Sequence, residues 1–367
     1  MKCHLRVLDV SIALSGPDEI VGPIVQAYRR FVVSDAEPGE AYLVEFDPAT
    51  PEVIRDGHER VPLIAGLNPT LQVYDRFLNA IFDLSTDYAV LHAAAVADGQ
   101  QGASLIAGPS GHGKTSMTLE LVNRGFRFLS DDYAPMDLAT GNISPYPRTV
   151  GIIADGDARI PSQFLEAAAA LDIPRLMGKS LVDVGEVMGE CVLLRDPVPV
   201  CNVFVLDAGV RNQPSATTKI EFGVWADSAA EAEGRLSAIE GVQVVDRRDR
   251  DDLSVWRIEL HHDKLSTGTL SKLLNEKYVA FSYGLAGPRP DFESEPRLDP
   301  LTRRETATFL CREMQNRRES GRLMKRFGGD TTALFVGVAA ALVGAKCWKV
   351  TVGRFESTVR LIQEAAS

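Results

Sequence analysis

The segment GPSGHGKT, residues 108–115, constrains the fold of this 367-residue chain more than any other part of the sequence. It fits the pattern G-x-x-x-x-G-K-[ST] at every fixed position, and a chain of this length matches that pattern by chance about 1% of the time. The pattern requires a buried strand before it and a helix after it. Both are indicated, since the apolar segment ASLIAG precedes the loop and residues 114–124 follow as a helix that ends at Gly125. The sequence therefore predicts an α/β fold with a phosphate-binding loop.

The chemistry of nucleotide phosphates explains each fixed position of this loop. Glycines let the backbone fold tightly around phosphate oxygens, with its N–H groups pointing inward. Lys114 supplies a mobile positive charge for the β- and γ-phosphates, and the Thr115 hydroxyl is a ligand for Mg²⁺. The predicted nucleotide-binding residues are Gly108, Pro109, Ser110, Gly111, His112, Gly113, Lys114, Thr115 and Ser116.

Two adjacent aspartates, Asp131 and Asp132, follow the next apolar segment, FRFLS, at the end of a predicted strand. In proteins with a phosphate-binding loop, an acidic residue in this place holds Mg²⁺, directly or through water. Transfer of a phosphoryl group to a hydroxyl also needs a carboxylate that accepts the hydroxyl proton. Two aspartates can divide these tasks between them. The alternative interpretation of the pair is a solvated acidic turn that has no role in catalysis.

The sequence resembles the HPr kinase/phosphorylase family, which shares its nucleotide-binding core with ATP-dependent phosphoenolpyruvate carboxykinase. The resemblance rests on LHAAAVA with His92, then GPSGHGKT, then RGFRFLSDDY, with weaker similarity in ISPYPRTVGI and CWKVTVGRFESTVRLI. It implies a mixed α/β fold with a phosphate-loop core, ATP and Mg²⁺ as cofactors, and transfer of phosphate to a serine hydroxyl. It also implies a homo-oligomer.

Carried over residue by residue, the resemblance makes Asp131 the proton acceptor. Asp132 would help to place the metal or the substrate, and Thr115 would be a ligand of the metal. Lys114 would act on the phosphates, and His92 would be an auxiliary catalytic residue near them. A core histidine that is hydrogen-bonded on its own strand is the other interpretation of His92.

The chain also departs from this family. The Glu-x-Arg-Gly motif expected downstream of the aspartates is absent, and Arg148 in YPRT is a substitute candidate for nucleotide binding, with a surface arginine as the alternative. The layout is similar to that of the HPr kinase-related proteins in bacterial peptide-modification clusters, including lasso-peptide tailoring kinases. The implied acceptor is therefore a peptide or small protein other than HPr.

The pattern of apolar residues divides the chain into two predicted domains. Residues 1–84 are predicted to form a small strand-rich N-terminal module, in which LRVLDVSIAL, RRFVV and AYLVEF are strands and residues 70–84 are a linking helix. Residues 85–367 are predicted to form the kinase-like nucleotide-binding domain, with an insert at about 151–300. There YAVLHAAAVA is predicted as one strand, residues 302–327 as one charged helix and residues 331–343 as a buried apolar helix.

Composition excludes several classes of protein. A net charge of −11 disfavours unspecific binding to nucleic acid or to an anionic membrane. The longest apolar run, residues 333–345, is too short to cross a bilayer, which takes roughly 20 residues. The five cysteines are scattered and show no CxxC pair, which argues against a disulfide framework or a zinc site. We expect a cytoplasmic protein without nucleic-acid or membrane partners.

The charged segment 302–327 departs from this acidic balance, because its eight basic and three acidic residues give it a net charge of +5. It is suited to an acidic precursor peptide, to nucleotide phosphates or to an acidic face of a neighbouring subunit. An exposed helix with charge pairs is the alternative without a partner. The triplet His261-His262-Asp263 is not predicted to bind a metal, since adjacent residues of a strand point to opposite faces.

The phosphate loop and the aspartate pair, together with what the family resemblance implies, predict an ATP-dependent kinase that transfers the γ-phosphate to a hydroxyl, in the first place a serine of a peptide or small protein. Two alternatives stay open at the level of sequence. One is a nucleotide-binding regulator without transfer activity, and the other is a kinase of a free small metabolite.

Overall fold

The chain forms a mixed α/β structure with several sheets. A computed structural model describes residues 1–34, 41–63, 68–99, 102–153, 159–192, 196–209, 217–249, 253–261, 279–283 and 290–366. The strands within these ranges are β1 (Lys2–Val7), β2 (Val10–Ser15), β3 (Tyr42–Phe46), β4 (Val53–Asp56), β5 (Glu59–Pro62), β6 (Tyr88–Leu91), β7 (Ala93–Asp98), β8 (Gly102–Ala107), β9 (Arg127–Ser130), β10 (Ala134–Asp137), β11 (Asn142–Ile143), β12 (Val150–Ile152), β13 (Arg175–Leu176), β14 (Lys179–Val182), β15 (Val198–Asp207), β16 (Thr217–Trp225), β17 (Val242–Asp249), β18 (Leu253–His261), β19 (Val279–Tyr283), β20 (Arg297–Pro300) and β21 (Lys346–Thr351).

Helices of very different length connect these strands. The α-helices are α1 (Asp18–Ala27), α2 (Pro69–Leu84), α3 (Lys114–Asn123), α4 (Ser162–Ala168), α5 (Val184–Met188), α6 (Ala229–Ser237), α7 (Arg303–Arg312), α8 (Arg322–Arg326), α9 (Thr331–Ala341) and α10 (Phe355–Ala366). In the described part of the chain, no helix has both the length and the apolar character that a membrane crossing requires.

A nine-stranded central sheet positions the phosphate loop. Its main path runs β6-β10-β11-β15-β8-β7-β9, and β21 and β20 continue from β15. The strands β8, β15 and β21 are mutually parallel, and β7 runs antiparallel to both β8 and β9. Consequently β8 and β9 point the same way, and the loop after β8 lies at the same edge of the sheet as the aspartates after β9.

Side chains of the central sheet alternate between two cores, as expected for strands buried on both faces. In β7, for example, Ala95 packs on one side and Val96 on the other. The first core is completed by residues of α7, α8 and α9, and the second by residues of α3, α4 and α10. The phosphate loop is therefore attached to a rigid layer that is covered on both sides.

The N-terminal residues form a five-stranded sheet in the order β1-β2-β3-β4-β5, against which α1 and α2 pack. This core also takes in residues from outside the segment, namely Val90, Tyr146, Leu176 and Leu181. The short strands β12, β14 and β13 make a three-stranded sheet. A four-stranded sheet, β17-β18-β16-β19, has its own small core around Trp256 and Leu236. The strand β15, within the predicted insert, belongs to the central sheet, and the predicted domain boundaries remain predictions.

Several predicted elements differ in the structure. The segment RRFVV was predicted as a strand, but Arg29–Phe31 forms a 3₁₀ turn after α1. The predicted strand YAVLHAAAVA is broken at His92, because β6 pairs with β10 whereas β7 pairs with β8 and β9.

The charged segment 302–327 is also not the single helix that its pattern predicts. It contains α7 and α8, separated by residues 313–321, of which Met314 bridges to Leu91 of β6. The apolar helix α9 is only half-buried: Leu334 and Val338 are in the core, while the side chain of Val336 is 57% exposed.

Candidate active site

The phosphate loop has the backbone that anion binding requires. It leaves β8 at Gly108, where a side chain would lie 2.7 Å from the Cβ atom of Leu206, so only glycine fits beside β15. Gly111 and Gly113 have positive φ angles of +82° and +89°, which glycine adopts without strain. Gly113 then caps the N-terminus of α3.

Several hydrogen-bond donors of the loop have no protein partner among the described residues. In the described part of the chain, the backbone N–H groups of Gly111, Gly113 and Thr115 have no protein acceptor. The Lys114 ammonium folds back and donates to the carbonyl oxygens of Gly108, at 2.7 Å, and Pro109, at 3.4 Å. Unsatisfied N–H groups at a helix N-terminus, next to a buried lysine, suit phosphate oxygens. These residues therefore fit a nucleotide polyphosphate.

A hydrogen bond joins the loop to the aspartate pair. The Thr115 hydroxyl donates to Asp131, with distances of 3.0 Å to Oδ1 and 3.3 Å to Oδ2. The two residues are 16 positions apart, and they meet because β8 and β9 end at the same edge of the sheet. A threonine hydroxyl and a carboxylate in contact form the oxygen-rich surroundings that Mg²⁺ prefers. The described residues contain no cluster of three or more His, Cys, Asp and Glu side chains suited to a metal.

The neighbouring carboxyl groups of the pair differ in their affinity for a proton. Burial, followed by the charge of Asp132, raises the pKa of Asp131 to about 7. Burial acts in the same direction on Asp132, but the positive charges of Arg148 and Lys179 outweigh it and lower the pKa of Asp132 to about 2. Asp131 is accordingly the carboxyl group that titrates near neutral pH, and Asp132 carries the permanent negative charge.

Asp132 is held by Arg148. The Arg148 Nη2 atom lies 2.5 Å from the Asp132 Oδ2 atom, and its guanidinium carbon lies 5.1 Å from the centroid of the Tyr133 ring. Arg148 is buried, so the alternative of a surface arginine is wrong. Its Nε atom is buried as well and has no hydrogen-bond partner among the described residues. Asp132 itself has φ +64°, a left-handed conformation that aspartate tolerates better than most residues.

His92 lies at the break between β6 and β7, beside Glu313, the residue that follows α7. Its Nδ1 atom is 3.2 Å from the Glu313 Oε2 atom, and its backbone N–H donates to the Glu313 carbonyl at 2.8 Å. The His92 side chain is 28% exposed, and its charge lowers the pKa of Asp132. His92 therefore lies half-buried against Glu313 and is not a fully buried core histidine.

Two residues near this cluster have no signal in the sequence. Lys179 begins β14, and its stem lies over Gly151 of β12, where an added Cβ would be 2.9 Å from the Lys179 Cδ atom. Its charge lowers the pKa values of both Asp131 and Asp132. Burial lowers the pKa of Lys114, and the negative charge of Glu313 acts in the opposite direction. Neither residue belongs to a local motif: Lys179 lies 47 positions after Asp132 in the sequence, and Glu313 lies 199 positions after Lys114.

Two further residues of the predicted nucleotide site, His112 and Ser116, are buried and therefore also contribute to packing. His112 is buried, its Nδ1 atom lies 3.4 Å from the Ser110 carbonyl oxygen, and burial lowers its pKa. Ser116 is buried in α3, directly behind Thr115.

A surface cavity of about 720 Å³ lies between the N-terminal sheet and α8, and none of its lining residues belongs to this site. The site is thus defined by converging side chains and backbone donors, not by cavity size.

Comparisons with known proteins add little to this description. No protein-family model matches the chain, and no curated protein matches it. Among solved structures, the HPr(Ser) kinase/phosphatase from Coxiella burnetii aligns with 34% of this chain and 69% of its own, at 17% identity and a TM-score of 0.24. A similarity this distant does not establish a family.

Proposed function

We propose that this protein is an ATP-dependent kinase of the HPr kinase-like kind, which transfers the γ-phosphate to a hydroxyl group of a peptide or small protein. A serine is the proposed acceptor residue, and precursor peptides of ribosomal natural products are a proposed acceptor class. The observation that carries the proposal is the hydrogen bond of 3.0 Å between Thr115 and Asp131. This bond supports the proposal because it brings the threonine that would bind the metal next to a carboxyl group, and phosphoryl transfer requires such a pair.

The loop would bind the donor nucleotide. The free N–H groups of Gly111, Gly113 and Thr115 would hold the β- and γ-phosphates. Lys114 would exchange its bonds to the Gly108 and Pro109 carbonyls for phosphate oxygens. Mg²⁺, when bound beside Thr115 and the aspartate pair, would neutralise charge on the phosphates. Asp132, ionised and anchored by Arg148, is suited to placing this ion.

Asp131 is the proposed proton acceptor. A general base works best when its pKa lies near the working pH, and the pKa of Asp131 is about 7. As the acceptor hydroxyl attacks the γ-phosphorus, its proton would pass to the Asp131 carboxylate while the bond from the phosphorus to the leaving oxygen of ADP breaks. The opposite assignment makes Asp132 the proton acceptor and Asp131 the residue that places the metal. One observation favours it: the Asp132 side chain is 35% exposed, whereas Asp131 is almost inaccessible.

Arg148 and Lys179 would stabilise the charge that spreads over the transferring phosphoryl group. Both are close enough to the aspartates to lower their pKa values. Preorganised positive charges of this kind are a large part of catalysis of phosphoryl transfer.

Mass spectrometry tests the proposal directly. The full chain would be incubated with Mg-ATP and serine peptides, with Lys114→Ala as the control variant. We expect a serine phosphorylated by the wild-type protein only. Nucleotide binding without any phosphorylated peptide or small molecule would support the regulator without transfer activity. Phosphorylation confined to a free metabolite would replace the peptide acceptor.

A further inference from the structure

The exposed face of α7 carries a strip of side chains that the proposed catalytic mechanism does not use. The strip borders a shallow surface cavity of about 660 Å³ and consists of Thr302, Arg304, Glu305, Thr308, Phe309 and Arg312. Arg304, Thr308 and Arg312 are four residues apart and exposed, so they lie on one side of the helix. Phe309 is half-buried and gives the strip an apolar floor.

The strip presents uncompensated positive charge. Within the described residues, neither Arg304 nor Arg312 has an acidic partner, although the chain as a whole has a net charge of −11. Glu305, the one acidic member, is engaged by the helix cap, because its Oε2 atom accepts from the Thr302 backbone N–H at 2.9 Å and from the Thr302 hydroxyl at 2.6 Å. Its carboxylate is therefore directed to the start of the helix.

The strip leads to the candidate active site. The residue after Arg312 is Glu313, which lies against His92 and close to Lys114. Asn316 fixes this junction, since its side chain bonds the backbone N–H of Val90 at 3.0 Å and the carbonyl of Tyr88 at 2.8 Å. The segment that follows α7 is thus joined to β6 by hydrogen bonds.

From this placement we infer that the face of α7 is the docking surface for an acidic segment of the acceptor peptide, with Arg312 near the phosphorylated serine and Arg304 farther away. This inference rests on the proposed kinase function and specifies its substrate. The eight-residue interval from Arg304 to Arg312 spans about 12 Å along a helix, which an extended peptide covers in three or four residues. Two acidic side chains, three or four residues apart on one side of the serine, match this spacing.

The experiment uses fluorescent synthetic peptides that contain one serine and two glutamates, three or four residues apart. Peptides with the glutamates before the serine and after it are compared with the same peptides carrying glutamine. Fluorescence anisotropy measures binding to the full chain, to Arg304→Glu/Arg312→Glu, and to Arg322→Glu/Lys325→Glu. The second variant changes the net charge equally on α8, where both side chains are exposed and outside the strip.

We expect one glutamate peptide to bind at least tenfold more tightly than its glutamine counterpart, and the α7 variant to lose this preference. The α8 variant should change the affinity by less than threefold. Equal binding of glutamate and glutamine peptides, or an equal loss in both variants, would overturn the inference. So would sedimentation showing that the strip instead joins two copies of the chain, with the wild type dimeric and the α7 variant monomeric.

Phosphate transfer, measured in parallel, separates this inference from the proposed function. Preferential binding to α7 without transfer would support the docking surface and contradict the proposed kinase function. Equally fast transfer to the glutamate and glutamine peptides, unchanged in the α7 variant, would support the kinase function and contradict the docking surface.

Discussion

Asp131 and Asp132 are adjacent in the sequence, yet their surroundings give the two carboxyl groups opposite tendencies to hold a proton. Asp131 is enclosed beneath the loop with the Thr115 hydroxyl as its partner, whereas Asp132 extends to Arg148. The positive φ of Asp132 turns the two side chains apart. A pair of this kind supplies one group that exchanges protons near neutral pH and one that stays ionised.

The pH dependence of activity follows from the pKa of Asp131. A base is active when deprotonated, so kcat/KM for Mg-ATP should rise as the pH increases through about 7. At pH 6 the activity should be about tenfold below its plateau, since roughly a tenth of the groups are then ionised. Steady-state kinetics between pH 5.5 and about 9 measure this rising limb.

Lys179 provides the matched test of the same assignment. Its positive charge lowers the pKa of Asp131, so Lys179→Met should move the rising limb to higher pH, while Lys179→Arg should leave it in place. A limb that stays at the wild-type pH in Lys179→Met would show that another group titrates.

At the scale of elements, the sequence predicted the central motif well and its surroundings less well. The order of strand, loop, helix and aspartates could be predicted because each signal is local: β8, α3 with its terminal Gly125, and β9. The break at His92 could not, since it results from pairing with residues 313–316, more than 200 positions away. Charged residues also continue through residues 313–321, so their pattern does not reveal the break between α7 and α8.

Asn316 is the residue on which this long-range pairing depends. Replacing it with alanine leaves a buried N–H and a partly buried carbonyl of β6 without their partner, at a cost of about 1–3 kcal/mol each. We predict that Asn316→Ala lowers the free energy of unfolding by about 2–4 kcal/mol, measured by urea denaturation. Activity should fall too, because Glu313 loses its fixed place beside His92. The control Asn79→Ala, at a surface bond, should change stability by about 0.5 kcal/mol or less; an equally small effect of Asn316→Ala would contradict the account.

At the scale of the whole molecule, a buried carboxylate connects the N-terminal sheet region with the segment that carries Lys179. The Asp183 side chain is 3% exposed and is bound by Arg29 and Arg30, which follow α1. The same carboxylate caps α5 through the N–H groups of Gly185 and Glu186. This cluster could not be predicted from the sequence, because more than 150 residues separate the two arginines from Asp183 and none of the three belongs to a motif.

Asp183 should make this connection sensitive to acid. Burial opposes its ionisation, but the hydrogen bonds and charges of Arg30 and Arg29 prevail and lower the pKa of Asp183 below 3.8. A lowered folded-state pKa stabilises the fold above the unfolded-state value, and this contribution is lost as the pH falls through the folded-state pKa. Asp183→Asn should therefore lose about 2–3 kcal/mol at pH 7 and approach the wild type as the pH falls below about 4.

Chemical denaturation at several pH values measures this difference. Glu186→Gln, which alters only the exposed partner of Arg29, should cost about 1 kcal/mol or less. A constant gap between Asp183→Asn and the wild type at all pH values would argue against the ionised cluster.

The proposed kinase mechanism depends most on Asp131 as the proton acceptor, and a comparison of two variants tests this role. Single-turnover phosphate transfer to a serine peptide would be measured for the wild type and Asp131→Asn, alongside the affinity of each for Mg-ATP. We predict a loss of at least about 100-fold in rate, as for removal of a general base, with the affinity within a few-fold of the wild type. An equal loss of rate and affinity, or a normal rate in Asp131→Asn with the loss found in Asp132→Asn instead, would contradict it.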